Sequence, residues 1–585
     1  MIVEDGYTDF YGAYHAAPPQ TKRAILRALG PDEQSGGALE PVYVFRAGEP
    51  ANVPGVPPGE RFQPGYYEHA HGGERTTLIA VPPHAYVPEE LERRGRWGIA
   101  AQLYSLRSGE NWGIGDFGDL DRLVGIALDA GAACVALNPL HALHLTSPRA
   151  ASPYSPSSRF FLNPLYIDVP AARATLGAGD WDLGASEMLL RSLREADLIA
   201  YEAVAQVKLR ALRELYEHHD RRAETFERFR TFVREGGEGL QYLAVYQALA
   251  SFFNARDPAA HGWLQWPAQF QNPQSADVAQ FARAHPAQVE FYQFLQWLAD
   301  EQLARAARGA APMTIGLYRD LAVGVDAASA DVWMDREAFC AGISAGAPPD
   351  PMNERGQNWG LPPLNPRVLR RRAYKPFVDL LRANMRYAGA LRIDHVMSLM
   401  RLFCIPEGMP ASEGTYLRYP FEEMLGVLAL ESLRNRCTIV GEDLGTVPDG
   451  FRDRMARARV FSCRVLYFED DPARYPRDAV ASTGTHDLPP LRKYWEQNGV
   501  VCEGADDDTV LRLVIETYRR LGSGAALLVL AQLEDLLLVR EQVNTPGTVD
   551  ELPNWQQKIP VALEDLPRER GFRAVARALD AARTG

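Results

Sequence analysis

The sequence predicts an α/β fold: a (β/α)8 barrel with large, mainly helical insertions and a small N-terminal module. Three observations predict it. Eight apolar, strand-like runs are spread over residues 97–585. Helical patterns separate most of them, the alternation expected of a parallel sheet. Eight βα units need about 250 residues, and the surplus is placed as insertions on loops. A doubly wound open sheet is the alternative for the same rhythm.

Residues 1–96 are rich in Gly and Pro, with a helical pattern over Thr21–Leu29 and strand-like pieces at Pro41–Phe45 and Thr76–Val81. These form the N-terminal module. From Trp97 the rhythm changes: Gly98–Tyr104 reads as a strand, Leu120–Ala130 as a helix and Cys134–Asn138 as a second strand. Residues 139–312 interrupt the barrel region 97–585. They open with a Pro/Ser/Tyr-rich loop, Ser147–Pro164, and continue as a helical insertion in which Val207–Tyr216 shows the period most clearly. Strand rhythm returns at Ile315–Val323, Ala390–Ile393, Cys437–Gly441, Cys463–Phe468, Ala479–Thr483 and Leu527–Leu533.

Composition narrows the function. The 585 residues carry 62 Lys+Arg against 75 Asp+Glu, a net charge of −13. That balance argues against nucleic-acid or anionic-membrane partners, which need clustered cations. A hydrophobic content of 46% is that of a globular chain. No run of about 18 apolar residues marks a membrane span, and Met-Ile-Val-Glu-Asp-Gly lacks the features of a signal peptide. The six cysteines show no CxxC spacing. The expectation is a soluble, cytoplasmic protein with reduced thiols.

Three segments share one form, a strand-like run closed by a carboxylate: Leu391-Arg-Ile-Asp394-His395, Ile439-Val-Gly-Glu442-Asp443 and Ser482-Thr-Gly-Thr-His486-Asp487. Their acids are 48 and 45 residues apart, which suits whole βα units. In a (β/α)8 barrel, side chains at the C-terminal strand ends converge on one mouth. Converging acids suit glycosidic chemistry, with one carboxylate as nucleophile and one carboxyl as proton donor. Arg392 stands two residues before Asp394, so on a strand both face one side, and a fixed cation there keeps Asp394 ionised. The structural alternative is an acid that caps a helix or pairs with a surface Arg.

Two other signals carry less. Gly113-Ile-Gly115-Asp-Phe-Gly118 matches GxGxxG between a strand and a helix. However, Asp116 would oppose a pyrophosphate, and the next strand ends in Asn138 instead of a ribose-binding acid. The histidines at 69, 71, 141, 144, 218 and 219 lack a metal-ligand context. No metal or cofactor is expected.

The acid-bearing segments resemble the amylomaltases, the 4-α-glucanotransferases of glycoside hydrolase family 77. The resemblance runs from about Trp97 to the end. It includes Asn111-Trp-Gly-Ile-Gly-Asp-Phe117, Ser152-Pro-Tyr154-Ser, Asn163-Pro-Leu-Tyr166, Tyr318-Arg-Asp320-Leu, Gly356-Gln357-Asn-Trp359-Gly360, Pro546-Gly-Thr548 and Pro553-Asn-Trp555. It implies Asp394 as nucleophile, Glu442 as general acid/base and Asp487 as the transition-state carboxylate. It places Arg392 and His486 beside the reacting sugar and Tyr154, Asp320, Gln357 and Trp359 on the glucan. The implied partners are maltooligosaccharides and α-1,4-glucans. The rivals are an α-amylase-type hydrolase, which usually appends an all-β domain although only 98 residues follow Asp487, and a non-catalytic glucan-binding protein, for which the acids would be superfluous.

Overall fold

A computed structural model describes residues 2–31, 39–179, 184–350, 353–548 and 551–584. Eight strands close into a barrel. In chain order they are β1 (Arg96–Ala101), β2 (Cys134–Leu137), β3 (Gly316–Leu321), β4 (Ala390–Ile393), β5 (Thr438–Gly441), β6 (Phe461–Val465), β7 (Ala479–Ser482) and β8 (Leu528–Gln532). Neighbours round the barrel follow chain order, and β8 pairs with β1 in parallel register, Val529 opposite Trp97. Each strand meets one of the eight predicted runs.

Two strands end three residues earlier than predicted. The first stops at Ala101, because the backbone N–H of Leu103 turns onto Asn138 Oδ1 (2.7 Å) and a 3-10 turn follows. The sixth was expected at Cys463–Phe468 and lies at Phe461–Val465. There the apolar run continues past the strand into a turn, closed by Phe468 N–H to Val465 O at 3.0 Å. Tyr467 then stacks on Tyr494, with ring centroids 3.7 Å apart.

The chain divides into two compact units. The first comprises Met1–Pro88, Leu321–Ala327 and Asp335–Cys463. In it a three-stranded sheet orders Val42–Arg46, Glu74–Val81 and Gly65–His71. This sheet packs on the helix Phe421–Asn435, where Tyr66 Oη donates to Glu431 at 2.7 Å. A separate antiparallel sheet orders Gln357–Leu361, Ile343–Ala347, Arg401–Pro406 and Thr415–Arg418. Sequence reasoning missed that sheet, whose strands are short, Gly-interrupted pieces of the loops after β3 and β4.

The second unit comprises Glu89–Asp320, Ala328–Met334 and Arg464–Gly585. Between β2 and β3 it holds the helices Glu187–Glu195, Tyr201–His218, Glu224–Asn254, Ala276–Ala284 and Pro286–Gly309. Phe229, Phe294 and Trp297 are fully buried and cluster within 6 Å of one another. Helix Pro286–Gly309 also packs on the helix Phe117–Asp129. Among the described residues no helix is long and apolar enough to cross a membrane.

The GxGxxG segment is a capped turn. Asp116 accepts from the N–H groups of Gly118 and Asp119, and Asp119 accepts from Asp116 N–H, which gives a capping box for Phe117–Asp129. Asp116 also faces Lys208 Nζ at 3.5 Å, both side chains buried. Burial pushes the Asp116 carboxyl up, against the pull of Lys208. Removing the acid leaves an ammonium in the interior. Asp116→Ala should therefore cost on the order of 3 kcal/mol, read as a lower apparent unfolding midpoint. Lys208→Met added to it should recover part of that loss.

Candidate active site

Two of the candidate acids stand where strands stop. Asp394 follows Ile393, the last residue of β4, and Glu442 follows Gly441, the last residue of β5. Asp320 is the penultimate residue of β3, but Asp487 does not close a strand as expected: β7 stops at Ser482 and Asp487 lies five residues further on, in a turn. Parallel register sets Ile393 opposite Gly441, so Asp394 and Glu442 leave adjacent strands at the same level.

One set of contacts surrounds these two. Arg392 Nη2 reaches Asp394 Oδ1 at 2.8 Å, both side chains being less than one-fifth exposed. The same-side geometry expected of residues two apart on a strand is present. Glu442 accepts from two backbone donors: His395 N–H on Oε2 (2.9 Å) and Leu444 N–H on Oε1 (2.7 Å). Burial pushes the Glu442 carboxyl up to about 7. The charge of Arg392 opposes that rise and the charge of Asp394 adds to it.

His395 takes a left-handed backbone (φ 45°), which aims its N–H at Glu442. Burial lowers its imidazole to about 4, so the ring is neutral near pH 7. Its ring stands T-shaped to Trp359 with centroids 5.3 Å apart, and Trp359 Nε1 donates to Gln357 Oε1 at 3.1 Å. Gly356, just before the strand Gln357–Leu361, has φ 71°, and a Cβ there would lie 2.8 Å from Ala347 O. Only glycine makes that turn without strain.

A second set of contacts joins Tyr154, Asp320, His486 and Asp487. Tyr154 Oη donates to Asp320 Oδ2 at 2.6 Å and lies 3.3 Å from His486 Nδ1. The phenol has one proton, and Asp320 takes it, so its oxygen accepts from His486 Nδ1. That leaves Nε2 facing Asp487 Oδ2 at 3.4 Å. The Tyr154 and His486 rings stack with centroids 4.5 Å apart.

Sequence reasoning missed three members of this set. Asn544 Nδ2 donates to Asp487 Oδ1 at 2.6 Å, and Gln542 Nε2 donates to Asp487 O at 2.9 Å. Trp555 leans on His486 and Tyr154 at 5.3 and 5.6 Å. Asn544 heads the Pro546-Gly-Thr548 turn and Trp555 closes Pro553-Asn-Trp555. The segment was thus visible, but not which side chains it would aim.

Asp443, next to Glu442, has a structural task. It is buried and accepts from Arg452 Nε, Ser462 Oγ and Cys463 N–H at 2.8, 2.5 and 2.9 Å. Among the described residues no cluster of His, Cys, Asp and Glu is arranged to hold a metal ion.

The rise of Glu442 has a sign that stability measures. Above pH 7 the carboxyl is ionised in folded and unfolded chains alike, and the folded chain disfavours that charge. Below about pH 4.5 it is protonated in both, and the difference vanishes. Glu442→Gln should stabilise the fold at pH 8 by about 3 kcal/mol, fading to nothing at pH 4. Thermal midpoints of both proteins at the two pH values check this.

Residues 101–563 match glycoside hydrolase family 77, 4-alpha-glucanotransferase. A 4-alpha-glucanotransferase of Haemophilus influenzae is 38% identical over 554 residues, covering 83% of this chain and 78% of its own. One from Mycobacterium tuberculosis is 35% identical over 576 residues, covering 87% and 78%. Among solved structures, an amylomaltase from Corynebacterium glutamicum matches with a TM-score of 0.83 at 26% identity, over 99% of this chain and 98% of that one. An amylomaltase from Streptococcus agalactiae, in complex with acarbose, shares the fold with a TM-score of 0.72 at 19% identity, over 84% and 99%. The chain therefore belongs to the 4-alpha-glucanotransferase family, glycoside hydrolase family 77.

Proposed function

We propose that this 4-alpha-glucanotransferase works by retaining transfer through a covalent glycosyl-enzyme. The observation that carries the mechanism is the asymmetry of its two adjacent carboxyls. Asp394 is ion-paired to Arg392, whereas burial raises Glu442 to about 7. That is the division a nucleophile and a proton donor need.

The steps follow. Asp394 attacks the anomeric carbon of an α-1,4-linked glucose, the C1–O4 bond breaks, and Glu442 gives its proton to the departing O4. The ester on Asp394 waits for an acceptor. Glu442, now a carboxylate, takes the proton of an acceptor 4-hydroxyl, which attacks C1 and releases Asp394. Asp487 stabilises the oxocarbenium-like transition states. Arg392, His486, Tyr154, Asp320, Gln357 and Trp359 hold the sugars, and the aromatic rings of Tyr154 and Trp359 favour a sugar acceptor by excluding water. Maltooligosaccharides and α-1,4-glucans in the cytoplasm are the proposed substrates. The net charge of −13 suits such neutral ligands.

Incubation with maltotriose tests the reaction. Transfer should yield glucose plus a ladder of longer maltooligosaccharides, with total reducing ends constant. Reducing ends that rise with glucose, with no longer products, would make the protein an α-amylase-type hydrolase. No turnover at all would leave a glucan-binding protein. Asp394→Asn and Asp487→Asn should each be nearly inactive. Glu442→Gln should lose most activity on glucans, yet far less of the first step with a donor whose leaving group needs no proton.

A further inference from the structure

We propose that Asn544 and Gln542 form a clamp that sets the direction of the Asp487 carboxyl, and that both are positioning residues for the transfer. The proposal rests on the role given to Asp487 above. Asp487 sits in a loop beyond the end of β7, with its side chain 43% exposed. No strand or helix fixes it. A carboxylate only accepts hydrogen bonds, so its donors decide where it points.

Its two side-chain neighbours are unequal. His486 Nε2 lies 3.4 Å from Oδ2, a long contact, whereas Asn544 Nδ2 lies 2.6 Å from Oδ1. Asn544 is itself held on both backbone sides. Its N–H donates to His486 O at 3.1 Å, and its carbonyl accepts from Gln542 Nε2 at 2.7 Å. The same Gln542 nitrogen donates to Asp487 O at 2.9 Å. One amide group thus ties the two chain segments together, 55 residues apart in sequence. Behind the clamp, Trp555 N–H bonds Val543 O at 3.0 Å and Tyr201 Oη bonds Trp555 O at 2.7 Å, so the loop is anchored to the helix Tyr201–His218.

The chemistry explains why an amide suits this place. A neutral N–H donor holds the carboxylate without competing for its charge. A second acid at 2.6 Å would force the pair to share a proton. A misplacement of about 1 Å at a reacting centre costs on the order of 100-fold in rate.

The test measures kcat and KM on maltotriose between about pH 4.5 and 8 for the full chain and four variants: Asn544→Ala, Asn544→Asp, Gln542→Ala and Asp487→Asn. Asn544→Ala should lower kcat by about 10- to 100-fold with KM changed less than about 3-fold. Gln542→Ala should lower kcat less, also with little change in KM. Asn544→Asp should work best at low pH, where the introduced carboxyl is protonated and donates to Asp487. It should lose activity as pH rises, at a lower pH than the parent does. A merely structural role would not produce that new limb. A rise in KM at constant kcat for Asn544→Ala would overturn the clamp in favour of direct substrate contact. So would an Asn544→Asp profile superimposable on the parent's. If Asp487→Asn keeps parental turnover, the role of Asp487 fails and the proposal falls with it. If Asp487→Asn is inactive while Asn544→Ala and Gln542→Ala keep parental kcat, only the clamp fails. Should Asn544→Ala not fold, Asn544→Ser and Gln542→Ala carry the same measurement.

Discussion

The guanidinium of Arg392 sets the charge pattern of the two carboxyls at the ends of β4 and β5. It lies on β4 and pairs with Asp394 two residues along the same face. On the neighbouring strand β5, Glu442 leaves the sheet at the same level, and its backbone N–H donates to Ile393 O at 3.0 Å. Two carboxyls so near each other resist being charged together. Arg392 gives the charge of Asp394 a partner, while burial keeps a proton on Glu442 up to about pH 7. The strand pairing fixes where the two groups stand, and burial and the cation fix what each is.

Neighbouring residues of one chemical type do different work because their partners differ. Asp443 spends its oxygens on Arg452, Ser462 and the Cys463 backbone, and so ties the end of β5 to β6. Among the described residues Glu442 receives two backbone N–H donors, and it stays protonatable. The left-handed turn at His395 is part of that arrangement, since the donor on Oε2 is its own N–H. The small antiparallel sheet then carries Trp359 into a T-shaped contact with the same imidazole.

The barrel strands were legible because buried parallel strands are short apolar runs bounded by turns. Asp394 and Glu442 were legible because each directly follows such a run, whereas Asp487 lies in the loop five residues beyond its strand. Where the apolar run outlasted the strand, as at Leu466–Phe468, the boundary was misread. The sheet of Gln357–Leu361 and Ile343–Ala347 was invisible because its glycines and polar residues read as loop, and its pairing is set by the turn at Gly356. Asn544 and Gln542 were invisible for another reason. Their bonds to Asp487 join loops more than 50 residues apart, and no periodicity encodes such a meeting.

The central claim is that Asp394 bears the sugar and Glu442 supplies the proton. A 5-fluoro-α-glucosyl fluoride tests it most directly, because fluoride leaves without a proton and the ring fluorine slows release of the intermediate. Incubated with the Glu442→Gln variant, it should load one glucosyl group. Peptide mass spectrometry should find that group on Asp394, with fluoride released in equal amount. A sugar found on Asp487 or any other carboxylate, or fluoride released with no residue labelled, would contradict the assignment.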